Sequence, residues 1–357
     1  MHELEHRSVP GQSLSGRLRA YLPLVLTISI NIQFAIHYAW KGFPFLDLVL
    51  FTGELVPLPY QGRILTAWIF QQTADRASVV QAVASHAAKL PPGLRSPFVL
   101  VELVLVFISL LAASLACRAT VRLLGGGIAF ADWTLLLIPA MMIYLTFFES
   151  YGFYAIPYDL PSLAFFSIGI WLVVAQKRLI LLPVFVLGTL NRETYIFITF
   201  FMLLYPAYAA ISQRRSAIQG LRPALPFAVV QIACWIGVRF WVLHRFSAAI
   251  PGEAQHGFVL QVTGNLHSLA NPLQWPALVD LAALLALPLA LGWRWIADRA
   301  FAQAAATIVV FWAVGMFLVG VFLEIRIFTE LVSFVAPCIA MALWTRFVEP
   351  RRDLAVS

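Results

Sequence analysis

Charge is what this sequence has least of. Only 11% of its 357 residues are Asp, Glu, Lys or Arg, where a soluble domain keeps roughly 25%. So little charge cannot cover a water-facing surface of this size. The hydrophobic share of 61% and the mean hydropathy of +0.85 agree. Cysteine is scarce too. Cys117, Cys234 and Cys338 are far apart, in or at the ends of apolar runs, which excludes a disulfide framework and leaves no metal-ligand spacing. Strand-length alternation of polar and apolar residues is missing, which argues against a membrane barrel. Internal repeats and a segment with soluble-domain composition are also missing, so one transmembrane domain over residues 1–357 is expected.

What is present is a series of apolar runs near the ~20 residues that one bilayer crossing needs. Backbone amides in lipid must be paired within the segment, so these runs are expected to be helices. Ten fit, near 20–40, 97–117, 128–148, 159–176, 179–190, 194–211, 223–243, 276–293, 304–322 and 331–346. The fifth is short enough to be broken, re-entrant or merged with the sixth. Basic residues decide between these options. With the N-terminus inside, the inner segments hold Arg7, Arg17, Arg19, Arg118, Arg122, Lys177, Arg178, Arg214, Arg215, Arg222, Arg294, Arg299, Arg346, Arg351 and Arg352. Merging runs five and six would send Arg214, Arg215 and Arg222 outside. An all-α, polytopic protein of about ten helices with both termini cytoplasmic is therefore expected. The net charge of +7 belongs to this inside bias and not to nucleic-acid binding. Met1 to Arg19 is polar and lacks a cleavage site after a short apolar core, so the first run is expected to be a retained signal anchor.

Two segments outside the runs are long. In 41–96, the stretches Gly62 to Gln72 and Ala77 to Lys89 have helical apolar spacing and are expected to lie as amphipathic helices at the interface. Segment 244–275, with Pro251-Gly252 and Asn271-Pro272, is expected to be an external loop. Gly125-Gly126-Gly127 lacks the following Lys-Ser/Thr of a phosphate loop.

On this topology the unusual polar residues gather at one face, the extracytoplasmic one. They are Asp47, Glu54, Gln61 and Arg63 after the first run, and Glu149, Tyr158 and Asp159 after the third. Asn191-Arg192-Glu193 lies between runs five and six, Arg239, His244 and Arg245 end the seventh, and Glu324, Arg326 and Glu330 lie between nine and ten. Ionisable groups at membrane depth cost from ~2.5 kcal/mol upward at the centre, so they face a cavity and pair. The loops after runs three, five and nine are very short, which brings their acids and bases close to the helix ends. Each has a plainer reading beside the functional one. Glu54 can be a solvated loop acid, and Arg63 a snorkelling side chain. Glu149 and Asp159 can cap helices; Arg192 with Glu193, and Glu324 with Arg326 and Glu330, can be structural ion pairs. As a functional set they suit transfer from a lipid-borne donor. A carboxylate takes a proton from an acceptor hydroxyl, and arginines hold a phosphate leaving group.

A first helix, a long external loop with two interfacial helices and an early acid, and then a second helix resembles the GT-C superfamily of membrane glycosyltransferases. Tyr158-Asp159-Leu160-Pro161, Asn191-Arg192-Glu193-Thr194 and Glu324-Ile325-Arg326-Ile327-Phe328 are similar to strings in uncharacterised bacterial membrane proteins loosely grouped with them. The resemblance implies a hexosyl- or pentosyltransferase of the bacterial plasma membrane. It would pass a sugar from a polyprenyl-phosphate donor to an envelope glycan or lipid on the external side. It puts Glu54 or Asp47 at the first acidic position and Glu149 at the second; the expected catalytic acids are Glu54 with Glu149 or Asp159, and the expected phosphate binders are Arg63, Arg192 and Arg326, supported by Asn191, Glu193, Glu324, Glu330 and Tyr158. A divalent metal, Mg or Mn, is compatible with these acids, though no ligand spacing calls for one. The chain departs from the pattern in lacking an Asp-x-Asp pair in the first loop and a large C-terminal external domain. A transporter or flippase for a lipid-linked or anionic solute, and a non-catalytic subunit of an envelope assembly complex, remain alternatives.

Overall fold

The computed structural model describes residues 14–41, 43–44, 47–56, 62–91, 94–147, 154–246, 260–320 and 324–349. In chain order the helices are α1 (Leu14–Lys41), α2 (Leu48–Thr52), α3 (Ile64–Thr73), α4 (Ala77–His86), α5 (Pro97–Leu123), α6 (Ile128–Phe147), α7 (Asp159–Val174), α8 (Arg178–Asn191), α9 (Glu193–Ser212), α10 (Ala217–Leu221), α11 (Leu225–Phe246), α12 (Val262–Ala270), α13 (Leu278–Trp295), α14 (Arg299–Val319) and α15 (Arg326–Val348). The one extended feature among the described residues is a parallel pairing of Phe43–Pro44 with Tyr154–Ala155.

Eight of these helices, α1, α5, α6, α9, α11, α13, α14 and α15, are long and apolar enough to cross a membrane. The chain is thus a polytopic helical membrane protein. Every expected apolar run falls on one helix, and runs five and six do not merge: α8 ends at Asn191, and Arg192 is extended at φ −158°. Helix α7 has 16 residues and α8 has 14. At 1.5 Å per residue these reach about 24 and 21 Å, short of the ~30 Å hydrocarbon core. Their ends at Asp159 and Asn191 stop inside the bundle, while the turn that joins them at Gln176–Lys177 is exposed. Irregular backbone is tolerated at such depth where protein surrounds it.

Helices α7 and α15 form the centre. Nearly every residue of α7 from Asp159 to Val173 is buried, and so is most of α15. Ser167 and Ser333 join them by a 2.8 Å hydrogen bond. Phe166, Tyr195, Phe201, Trp312 and Phe334 pack edge to face around them. The outer helices reverse this pattern. Helix α11 exposes Val229, Ile232, Ile236, Phe240 and Leu243, spaced three or four residues apart as one stripe of a helix. In a membrane protein that stripe faces lipid.

Two expectations about the segments between the runs need correction, and one holds. The first interfacial helix, α3, does not simply lie on the surface. It buries Thr66, Ala67 and Phe70, its Thr66 hydroxyl donates to Asn191 Oδ1 at 2.6 Å, and Gln71 donates to the Thr52 carbonyl. Helix α4 buries Val83 alone and keeps the amphipathic character expected of it. The segment 244–275 is not all loop: α12 lies within it, anchored by Asn265, which donates to the carbonyls of Phe317 and Gly320.

Candidate functional site

The turn between α8 and α9 organises the polar end. Tyr195 lies one turn beyond it and packs against two glycines. A Cβ on Gly188 would fall 2.5 Å from the Tyr195 ring, and one on Gly169 would fall 2.5 Å from its hydroxyl. That hydroxyl donates to the Phe165 carbonyl at 2.9 Å. Only glycine at both positions lets the ring sit this close to α7 and α8. Asn191, fully buried, closes the turn. Its Nδ2 donates to the Tyr158 carbonyl at 3.1 Å and to Ser162 Oγ at 2.8 Å, while its Oδ1 accepts from Thr66. All its strong hydrogen-bonding sites serve to join α3, α7 and α8.

Held this way, Arg192 points into the bundle, between two acids. Its guanidinium is 3.2 Å from Asp159 Oδ1 and also pairs with Glu330. Arg326 reaches Asp159 Oδ2 at 3.5 Å and pairs with Glu324. Arg63, delivered by the N-terminus of α3, pairs with Glu193, which also lies 3.9 Å from Arg239 of α11. The Arg63 guanidinium lies 5.2 Å from the Tyr158 ring centroid and that of Arg192 5.9 Å from it. The hub is therefore Tyr158-Asp159, with Arg63, Arg192 and Arg326 around it.

Four arginines (63, 192, 239, 326) meet four acids (Asp159, Glu193, Glu324, Glu330) here, so the group is neutral as a whole. Neutrality is what permits its depth, because a buried unpaired ion costs several kcal/mol, or about 3–5 when one partner is removed. Exposure divides the acids. The side chains of Asp159 and Glu330 are 3% and 0% exposed, those of Glu193 and Glu324 28% and 33%. Among the buried donors left over are Arg63 Nε and Arg192 Nε, which have no acceptor among the described residues. Burial lowers Arg63 to about 10, with Tyr158 opposing the shift, so it remains a cation at neutral pH. Burial raises the Tyr158 hydroxyl above its usual range although Arg63 opposes it, so Tyr158 keeps its proton.

No family model, curated protein or solved structure matches this chain. The site therefore rests on its own geometry.

The remaining expected residues stand as follows. Glu54 occurs at φ 58°, the left-handed region, just after α2, and pairs with Arg245 of α11 at 2.7 Å. It thus meets a different arginine from Asp159 and Glu330, while α11 carries both Arg245 and the Arg239 that faces Glu193. Glu149 lies outside the described residues, as does Gln61. Among the described residues no group of three or more His, Cys, Asp or Glu side chains is placed to hold a metal. Asp159 and Glu330 are turned to arginines, so the described residues do not fit one. Sequence reasoning passed over Glu102, a buried acid in α5. Its signal was available: a single carboxylate inside Phe98-Val99-Leu100-Val101-Glu102-Leu103-Val104-Leu105-Val106. Tyr38 of α1 lies within the electrostatic reach of both Glu102 and Asp159.

Proposed function

We propose that the chain is a GT-C-like membrane glycosyltransferase that uses a polyprenyl-phosphate-linked sugar at its extracytoplasmic end. One observation carries this reading: Arg63, Arg192 and Arg326 converge on Tyr158-Asp159, with the Nε–H groups of Arg63 and Arg192 buried and lacking acceptors. A phosphate brings oxygens for such donors, and arginine forks match phosphate geometry. The lipid tail of the donor would remain in the bilayer beside α3.

Geometry also divides the roles. Asp159 and Glu330 are enclosed and ion-paired, so they hold Arg192 and Arg326 in place. Glu193 and Glu324 are the accessible acids, and Glu54 stands at the rim with Arg245. In the transfer, one accessible carboxylate takes the proton of the acceptor hydroxyl and the oxygen bonds to the sugar's anomeric carbon. The bond from that carbon to the phosphate oxygen breaks, and the arginines take up the released negative charge. A positioned base contributes about 10²–10⁴ in rate.

The test is transfer of radiolabelled sugar from a polyprenyl-phosphate donor by the reconstituted chain. Arg326→Gln should raise the donor KM, whereas Glu193→Gln, Glu324→Gln or Glu54→Gln should lower kcat for whichever acid is the base. An acid whose glutamine variant turns over normally leaves the mechanism; no covalent product from any such donor ends the reading. A second reading, transport of an anionic or lipid-linked solute, has its own support: arginines also surround a cavity at the opposite ends of α7, α8 and α9. Movement of donor across proteoliposomes without a covalent product would favour it. The orientation is likewise part of the proposal. It puts Arg118, Arg122, Lys177, Arg178, Arg214, Arg215 and Arg299 inside, as the positive-inside rule requires.

A further inference from the structure

The opposite end of the bundle holds a cavity of about 1090 Å³, at the upper limit of the roughly 300–1,000 Å³ of ordinary ligand sites. Its walls are the end of α7, the start of α8, the second half of α9, α10 and the start of α14. The floor is set by a close backbone approach: a Cβ on Gly220 of α10 would lie 2.2 Å from the Pro206 carbonyl oxygen of α9. Three arginines line it, Arg178, Arg215 and Arg299, against one acid, Asp298. That acid is already engaged. It accepts from the Phe301 amide at 2.8 Å and from the Tyr205 hydroxyl at 3.1 Å.

None of the three arginines forms an ion pair among the described residues, although every arginine at the other end of α8 and α9 does. Arg178 donates to the Pro223 carbonyl at 2.8 Å, and Arg299 donates to the carbonyls of Trp293 and Arg294. These backbone bonds fix two guanidinium groups while leaving further N–H donors, since each guanidinium has five. Arg215 has no such tie among the described residues. Gln176, Gln213 and Gln219 add side-chain amides to the lining. Pro206, which has no N–H to offer the carbonyl one turn earlier, belongs to the same lining.

We infer that this cavity is a second binding site, one for a phosphate group carried on a hydroxyl-bearing body, at the face opposite the proposed transfer site. Three unpaired arginines supply charge-assisted donors to the phosphate. The glutamine amides match hydroxyls. An anionic lipid headgroup and a free soluble phosphate share this chemistry. The site stands whether or not the opposite end is a glycosyltransferase.

The test uses the full-length chain in a neutral detergent and measures binding by change in tryptophan fluorescence at constant ionic strength. One arm titrates dioctanoyl phosphatidylglycerol, the other inorganic pyrophosphate. The variants are Arg215→Gln, which makes no backbone tie that folding would miss, and Arg214→Gln, a basic residue of the same face outside the cavity lining. Saturable binding is expected in at least one arm. It should weaken about tenfold in Arg215→Gln, the loss of one charged hydrogen bond, and change less than about twofold in Arg214→Gln. Binding of the lipid alone identifies a headgroup site; binding of pyrophosphate identifies a site open to soluble phosphates. Absence of saturation in both arms overturns the inference. So does an equal loss in both variants, because a diffuse positive face would then explain the binding.

Discussion

Replacing Arg192 with methionine removes the cation between Asp159 and Glu330 and keeps similar volume. Asp159 retains Arg326 at 3.5 Å. Glu330, whose side chain is 0% exposed, loses its ion-pair partner and keeps a 3.5 Å contact with the Thr329 hydroxyl. Breaking a buried pair on one side costs about 3–5 kcal/mol. With an unfolding entropy near 2.1 cal/mol/K per residue, a chain of 357 residues should then melt about 4–7 °C lower. Replacing both partners, Arg192→Met with Glu330→Met, removes the stranded charge. The double variant should recover most of the loss, because apolar replacement of a whole buried pair is often neutral. The coupling between the two changes should then be at least the loss recovered, more than about 2 kcal/mol. Thermal unfolding of the four proteins in one detergent, followed by tryptophan fluorescence, measures it. If the double variant shows only the sum of the two single losses, the buried pair is not an energetic unit and the reasoning fails.

Gly169→Ala should be destabilising by about 1–3 kcal/mol through overpacking, and Tyr195→Phe should relieve part of it, because the closest contact there is the hydroxyl at 2.5 Å, with Ile198 at 3.1 Å. Gly188→Ala should be equally harmful and not relieved, since its clash is with the ring itself. Both outcomes can be read from melting temperatures. Asn191→Leu removes the bonds to Thr66, Tyr158 and Ser162, so amide exchange in α3 should accelerate more than in α7; equal protection in wild type and variant would mean that Asn191 does not hold α3. Donor binding through Arg63, a cation paired with Glu193, should be constant near neutrality, and Arg63→Gln should weaken it about tenfold. An unchanged affinity in that variant would remove Arg63 from the phosphate site.

Much of the architecture could be foreseen because its cause is local. Apolar runs with Pro97 at one start and Lys177-Arg178 between two others determine helices and their order wherever backbone groups must pair internally. The short loops at 191–193 and 324–330 also announced that acids and bases would meet, since nothing in so few residues can carry a charge far away. The partners themselves were another matter. Nothing local distinguishes Glu193 from Glu330 as the mate of Arg192, yet the structure gives Arg192 to Asp159 and Glu330 and gives Glu193 to Arg63. The extended backbone at Arg192 and the seat of Tyr195 on Gly169 and Gly188 decide it. These are contacts between helices separated in sequence, and composition carries no trace of them.

The sequence by itself determined the solvent of this protein, the number and order of its apolar runs, and the gathering of its rare charges at helix ends, because each follows from hydropathy and short-range geometry. Tertiary structure alone decided that Asp159 and Glu330 are enclosed while Glu193 and Glu324 remain accessible. It alone placed three unpaired arginines around a cavity at the other end. Depth, pairing and enclosure depend on which helix packs beside which, and that choice is made by side chains far apart in the chain.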